Sequence, residues 1–174
     1  MRQITFRPLS DKDSGWLMIW MNSPHIKQAW THLDTTPEDE VEEALSLIGS
    51  SEGAAFIIEL NRKPVGYIQY YDPNYTDSDF YFSGQPTGAL GLDLFIGDVS
   101  LTGQGLGAEA LRQFSNDLLA KGAPKLLIDP SAENSRAIRA FEKAGFTTYK
   151  QHDSSRWGRV VLMSRTPDLP ELLH

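Results

Sequence analysis

Residues 102–108, Thr102-Gly103-Gln104-Gly105-Leu106-Gly107-Ala108, form a glycine-rich segment between a β-rich run and a helical pattern. Glycine adopts backbone conformations with positive φ at little cost, and it lets a ligand approach the main chain closely. A helix that begins at Leu106 would turn unpaired N–H groups and a partial positive charge towards such a ligand. The segment therefore predicts a binding site for a phosphate or pyrophosphate group.

Two other phosphate-binding patterns fit this segment less well. Gly103, Gly105 and Ala108 satisfy the dinucleotide fingerprint G-x-G-x-x-G/A. That fingerprint follows its strand at once and opens a βαβ unit, whereas here several residues separate Ile96 from Gly103 and the preceding runs resemble hairpins. A Walker-type loop is excluded because the chain contains no Gly-Lys-Ser/Thr sequence. A glycine-rich turn without any ligand remains the simplest alternative.

The elements on both sides of the loop predict a mixed α/β domain around one sheet. Alternating and helical spacings of apolar residues distinguish strands from helices along the chain. The predicted strands are 4–8, 54–60, 65–71, 89–96, 125–128, 146–151 and 157–164. The predicted helices follow Ser10 or Asp11, start at Thr36 and Leu106, and span 134–144. Residues 61–64 are predicted to form a hairpin turn, and the polar, aromatic segment 72–87 is predicted to be a loop.

Composition narrows the classes of partner. The 174 residues suit a single domain, which we expect to span residues 1–174. The net charge of −7 disfavours nucleic acid, which requires a basic surface, and would attract cationic ligands. No apolar run approaches the roughly 18 residues of a membrane span, and residues 1–10 lack the apolar core of a signal peptide. We therefore expect a cytoplasmic protein without a membrane or nucleic-acid partner.

Metal and thiol chemistry are not expected. The chain contains no cysteine, which excludes disulfides, thiolate ligands and a cysteine nucleophile. The four histidines show no spacing typical of a metal site; they are His25, His32, His152 and His174.

A second motif lies downstream of the glycine loop. It reads Asn134-Ser135-Arg136-Ala137-Ile138-Arg139-Ala140-Phe141-Glu142-Lys143-Ala144-Gly145-Phe146. The two motifs, in this order, resemble the acetyl-CoA pyrophosphate loop and the asparagine-initiated helix of GNAT N-acetyltransferases. Within that superfamily the chain is most similar to the aminoglycoside 6'-N-acetyltransferases. Supporting segments are 20–30, 64–70, 91–93, 100–107 and 129–134.

The resemblance implies the GNAT fold, an α/β fold whose mixed central sheet has splayed strands and flanking helices. Acetyl-CoA, the expected cosubstrate, would lie where strands 89–96 and 125–128 diverge. The implied reaction is direct acetyl transfer to a primary amine of a small polycationic acceptor, in the first place the 6'-amine of an aminoglycoside. Alternatives are a siderophore-type amine or protein N-terminus as acceptor, or a non-catalytic acetyl-CoA-binding module. Both a monomer and a homodimer remain open.

The resemblance also assigns binding and catalytic residues. The implied cofactor-binding residues are Gln104, Gly105, Leu106, Gly107, Ala108 and Asn134. Asn134 equally suits an ordinary helix N-cap. Asp93 stands in an apolar strand, where a carboxylate is costly unless it has a partner or faces a wet cleft. Its family counterpart lies at the acceptor amine and is regarded as the base. The alternative is a structural carboxylate paired with a backbone N–H or an arginine.

Four further residues are predicted to form the acceptor site. The counterpart of Asp129 contacts the cationic acceptor, although an Asp-Pro pair also suits a simple turn. Trp30, Gln69 and Tyr71 could form walls for sugar rings, and strand alternation places Gln69 and Tyr71 on one face together with Tyr67.

Two positions depart from the family pattern. Phe141 replaces a tyrosine that many members place to protonate the leaving sulfur of coenzyme A. Because a thiol has a pKa near ~8.5, the thiolate can leave unprotonated at moderate cost. Thr102 stands where the family often has arginine or glutamine, which predicts weaker cofactor affinity.

Overall fold

The central sheet of the computed structural model has seven strands in the order β1-β2-β3-β4-β5-β7-β6. The structure describes residues 2–30, 35–75 and 81–168. The strands are β1 (Ile4–Pro8), β2 (Gly53–Leu60), β3 (Lys63–Tyr71), β4 (Leu90–Ile96), β5 (Leu126–Ile128), β6 (Thr147–Ser154) and β7 (Gly158–Arg165). Neighbouring strands are antiparallel, except that β4 and β5 are parallel. This mixed sheet confirms the predicted fold class.

Five helices flank the sheet in the described part of the chain. They are α1 (Ser14–Met21), α2 (Pro24–Trp30), α3 (Pro37–Ser46), α4 (Leu106–Ala120) and α5 (Ser135–Lys143). As predicted, α3 begins after Thr36. The Thr36 hydroxyl accepts from the Asp39 N–H and the Asp39 carboxylate accepts from the Thr36 N–H, which together form a capping box. None of these helices has the length and apolar character needed to cross a membrane.

The helices cover the two faces of the sheet separately. On one face, α4 and α5 pack over a core that includes Ile68, Leu92 and Phe114. On the other face, α1, α2 and α3 cover a second core that includes Trp20 and Phe95. Because side chains alternate along a strand, β3 and β4 contribute to both cores.

The sheet opens between β4 and β5. Strand β3 runs beside β4 from the pair Gly66–Ile96 to the pair Tyr71–Gly91. Strand β5, in contrast, pairs with β4 only at Leu90–Leu126 and Gly91–Leu127. The two parallel strands therefore diverge after Gly91, which confirms the predicted splay.

One local prediction differs from the structure, whereas the loop prediction agrees with the described residues of its segment. The hairpin turn predicted at residues 61–64 contains only Asn61 and Arg62, and β3 already begins at Lys63. Both turn residues have positive φ, at 50° and 72°, as a tight two-residue hairpin turn requires. The predicted loop 72–87 contains a short 3-10 turn at Pro73–Tyr75 and a turn at residues 81–84, and its residues 76–80 lie outside the described residues.

Candidate active site

Strand alternation and register bring the predicted residues of β3 and β4 together. Gln69 lies directly opposite Asp93, and Tyr67 lies opposite Phe95. These side chains point to the face that α1, α2 and α3 cover, because Tyr67 and Phe95 belong to the core on that side. Asp93 is partly exposed, so its carboxylate lies at the border between this core and the cleft.

A short hydrogen-bond chain holds the Asp93 carboxylate. The hydroxyl of the fully buried Tyr67 donates to Gln69 Oε1, and Gln69 Nε2 donates to Asp93 Oδ2 over 2.9 Å. The described partner of Asp93 is thus a neutral amide, rather than the arginine or backbone N–H of the structural alternative. This arrangement orients the carboxylate without neutralising its charge.

Asp129 approaches from the other side of the opening. It follows β5 directly, and alternation places it on the same face as Leu127, which packs against Phe82. The Tyr81 hydroxyl donates a hydrogen bond to Asp129 Oδ2. Tyr81 belongs to the 72–87 loop, and periodicity gave no reason to select it from that segment.

Tyr71 fills the space at the closed end of the opening. Its ring packs so closely over Gly91 that a Cβ at that glycine would lie 2.3 Å from the ring. Burial raises the pKa of Tyr71 well above its usual value, and the charges of Asp93 and Asp129 raise it further. Tyr71 therefore remains a neutral hydroxyl near both carboxylates.

The two carboxylates form a like-charged pair, and each of these side chains is only partly exposed. Burial raises the pKa of Asp129 to about 6, although the Tyr81 hydrogen bond opposes this change. Burial and the Asp129 charge raise the pKa of Asp93 well above its usual range, while the Gln69 hydrogen bond lowers it. Glu43 and Glu40 of α3 add negative potential at Asp93. Such a site favours cations and holds proton acceptors whose pKa values are closer to neutrality than that of a free aspartate.

Trp30 forms one wall of this region. Its ring packs edge-to-face on Tyr67 and Phe95, with centroid distances of 5.9 and 5.0 Å. Tyr67 and Phe95 lie opposite each other on β3 and β4, two residues along each strand from Gln69 and Asp93. The acceptor-binding roles of Trp30, Gln69 and Tyr71 stay predictions, supported by this proximity.

The glycine loop has the backbone shape that an anion requires. Gly103 and Gly105 have φ of +78° and +79°, and Gly105 is the N-cap of α4. The first helical hydrogen bond at this end runs from the Glu109 N–H to the Gly105 carbonyl over 3.0 Å. The N–H groups of Leu106, Gly107 and Ala108 therefore precede the helical ladder and point out of the helix end.

This loop fits a pyrophosphate. A Cβ built at Gly105 meets no atom within 4 Å, so the loop leaves open space at its backbone. The Leu106 side chain is buried, which leaves its amide as the group that can contact a ligand. Asn134 caps α5, because its Oδ1 accepts from the Ala137 N–H over 3.1 Å. This confirms the N-cap role of Asn134, and its contact with the pantetheine arm stays a prediction.

Comparison with known proteins identifies the family. The acetyltransferase (GNAT) domain matches residues 10–154. The chain belongs to the GNAT acetyltransferase family. This GNAT enzyme is 31% identical over 171 residues to the aminoglycoside N(6')-acetyltransferase type 1 of Klebsiella pneumoniae, covering 96% of its own length and 79% of that relative. The expected superfamily and its acyltransferase class are thereby confirmed.

Two further relatives bear on the acceptor. The structure of AAC(6')-Ib in complex with ribostamycin and coenzyme A matches this GNAT chain with a TM-score of 0.83 and 31% identity, over 94% of this chain and 93% of the other. The lysine N-acyltransferase MbtK of Mycolicibacterium paratuberculosis is 28% identical over 153 residues, which cover 82% of this chain and 65% of that protein.

No group of three or more histidine or acidic side chains in the described ranges could hold a metal ion. His25 Nε2 contacts the Ile96 carbonyl at 3.0 Å, at the end of β4, and the His152 ring packs on Tyr81. His32 and His174 lie outside the described residues.

Proposed function

We propose that this GNAT enzyme transfers the acetyl group of acetyl-CoA to a primary amine of a polycationic acceptor of the aminoglycoside class, acting as a single domain in the cytoplasm. The observation that carries the proposal is the pair Asp93 and Asp129, which approaches the opening between β4 and β5 from both sides. The aminoglycoside N(6')-acetyltransferase of Klebsiella pneumoniae and AAC(6')-Ib, with its ribostamycin and coenzyme A, support the same assignment.

Each carboxylate has a distinct part in the proposed reaction. The acceptor nitrogen attacks the thioester carbonyl carbon, the carbon–sulfur bond breaks, and coenzyme A leaves as a thiolate. Asp93 accepts the proton that the attacking nitrogen loses, because the Gln69 hydrogen bond fixes its orientation. Asp129 holds an ammonium group of the acceptor and positions the amine for attack.

The test is thiol release from acetyl-CoA by the purified protein. The acceptors are aminoglycosides with a 6'-amine, matched compounds with a 6'-hydroxyl, and lysine. Release that requires the 6'-amine supports the proposal. Release with the 6'-hydroxyl compounds at an equal rate would exclude that amine as the acceptor position.

A lysine-type acceptor is the second candidate, because MbtK is a lysine N-acyltransferase. A single carboxylate suffices to bind one amine, whereas the pair in this chain suits an acceptor with several ammonium groups. Release with lysine but with no aminoglycoside would favour this candidate. If the protein binds coenzyme A but releases no thiol from acetyl-CoA with any acceptor in the panel, the result would favour a non-catalytic module.

We expect kcat/KM to fall as pH decreases through about 6, because Asp129 must be ionised to hold an ammonium group. Asp93, whose pKa is also raised, must be ionised as well to accept the proton. Replacing Tyr81 by phenylalanine removes a hydrogen bond that lowers the pKa of Asp129. The acidic limb of the profile should therefore move to higher pH in Tyr81→Phe. The measurement is kcat/KM from pH 5 to 9 for both proteins with the same acceptor. Ionisation of the acceptor amines then affects both profiles equally and does not contribute to the difference between them. The role of Asp129 in acceptor binding would be contradicted if KM for the acceptor had the same pH dependence in both proteins.

We expect Phe141→Tyr to raise kcat severalfold, because a tyrosine hydroxyl can protonate the departing thiolate. Phe141 is partly buried in the core beneath α4 and α5, so the substitution adds one hydroxyl at a side chain that already has its packing partners. The gain should stay well below the ~10²–10⁴-fold of a full general acid, since a thiolate is a good leaving group. Steady-state kcat with a 6'-amino acceptor tests this, and an unchanged kcat would show that leaving-group protonation does not limit turnover.

A further inference from the structure

The polar side chains of the glycine loop form hydrogen bonds with nearby backbone carbonyls. The Thr102 hydroxyl donates to the Val99 carbonyl over 2.7 Å. The Gln104 side-chain amide donates to the Ser100 carbonyl over 2.8 Å. The loop itself carries no cation, so any positive side chain beside a bound phosphate must come from another element.

A cation from α5 lies beside this loop. A Cβ built at Gly103 would lie 3.9 Å from Cζ of Arg136 and 4.0 Å from each of its Nη atoms. Within the part of the chain that the structure describes, the exposed Arg136 forms no ion pair and no side-chain hydrogen bond. Arg2, the other cation at this loop, donates to the Gln104 carbonyl and lies 3.7 Å from the Glu109 carboxylate, which balances its charge.

The position of Arg136 is unfavourable for α5 itself. Arg136 lies in the first turn of the helix, which contains no acidic residue. A helix N-terminus carries partial positive charge, so a cation there is repelled. Arginine in this place brings no local stabilisation to the helix. A bound anion would remove the repulsion, because it would face the guanidinium and the N-terminus of α4 together.

We propose that Arg136 is a cofactor-binding residue, whose guanidinium binds the pyrophosphate of coenzyme A held on the glycine loop. The planar guanidinium offers paired N–H donors that match two phosphate oxygens. Arg136 thereby supplies the positive charge that Thr102 cannot. This inference rests on the proposed use of acetyl-CoA, but its test requires neither an acceptor nor turnover.

The test is calorimetric measurement of Kd for coenzyme A and for 3'-dephospho-coenzyme A. The proteins are the wild type, Arg136→Ala, Arg136→Lys and Arg139→Ala. Arg139 is the matched control, because it lies on the same helix, is exposed and carries the same charge. We expect Arg136→Ala to weaken both ligands about tenfold, as the loss of a charge-assisted phosphate contact does. We expect Arg136→Lys to recover part of the affinity and Arg139→Ala to match the wild type.

The outcomes separate this inference from the proposed function. Equal weakening of both ligands, confined to the Arg136 variants, supports the pyrophosphate contact. Weakening of coenzyme A alone would assign Arg136 to the 3'-phosphate and overturn the contact proposed here. Equal affinity of wild type and Arg136→Ala would overturn any phosphate role while leaving the proposed function intact. Failure of the wild type to bind coenzyme A would overturn both.

Discussion

Replacing Asp93 by asparagine should lower kcat by about 10²-fold or more, because the attacking amine then loses its proton acceptor. The coenzyme A affinity should stay unchanged, since Asp93 lies on the acceptor side of the opening and away from the glycine loop. Asparagine can still accept the Gln69 hydrogen bond through its side-chain oxygen, so the local geometry is preserved. Thiol release and calorimetry with coenzyme A measure the two effects separately.

The same variant should be at least as stable as the wild type at neutral pH. The pKa of Asp93 is raised in the folded protein, so the folded state binds more protons than the unfolded state between the two pKa values. The contribution of Asp93 to the free energy of unfolding is therefore greatest at low pH. It is lost as the pH rises through the pKa that Asp93 has in the folded protein. A neutral asparagine removes that loss.

The matched control is Asp117→Asn. Asp117 is an exposed residue of α4 that pairs with Lys121 at 2.8 Å, so this variant changes the net charge equally without touching the site. It should retain the wild-type kcat. A wild-type rate in Asp93→Asn would eliminate Asp93 as the base.

Replacing Gly105 by alanine should weaken coenzyme A binding at least tenfold. The φ of +79° at this position is unfavourable for any residue with a Cβ, by about 1–2 kcal/mol. The added methyl group would also project into the open space in which the loop receives the pyrophosphate. Either effect displaces the amides of Leu106 and Gly107 from the phosphate oxygens.

Gly122→Ala separates strain from ligand contact. Gly122 follows the other end of α4 with a φ of +108°, and a Cβ there also meets no atom within 4 Å. This variant should show a lowered Tm, like Gly105→Ala, with wild-type affinity for coenzyme A. If Gly105→Ala also keeps that affinity, the loop does not hold the pyrophosphate.

Strand alternation predicted that Gln69 and Tyr71 share a face with Tyr67, as the structure has them. The position of Gln69 opposite Asp93 could not be predicted, because it depends on the register of β3 and β4, which a long connection joins. Asp129 was assigned to the acceptor site by the family resemblance, and the sequence pattern alone was equally compatible with a simple Asp-Pro turn. The helix start at Thr36 could be predicted because the hydrogen bonds that cap it are local to residues 36–39.

Tyr81 could not be predicted in this way. Its contact with Asp129 depends on the path of a loop that has neither periodicity nor a capping motif. Arg136 was equally hidden, because its neighbour Gly103 lies on a different element and only the packing of α5 brings the two together. We overestimated the length of the turn at Asn61 and Arg62 because proline usually interrupts a strand. In the structure, Pro64 lies within β3, opposite Glu59 and next to a register shift in β2.

The brief pairing of β4 with β5 also has a consequence for the lifetime of the protein. Strands β1–β4 and strands β5–β7 pair with each other only at Leu90–Leu126 and Gly91–Leu127, so the core beneath α4 and α5 provides most of the contact between these two parts of the sheet. A ligand that spans the opening would add contacts to both parts of the sheet and stabilise the folded chain by an amount that rises with the logarithm of its concentration above Kd. The resistance of this enzyme to proteolysis would then rise with the concentration of acetyl-CoA.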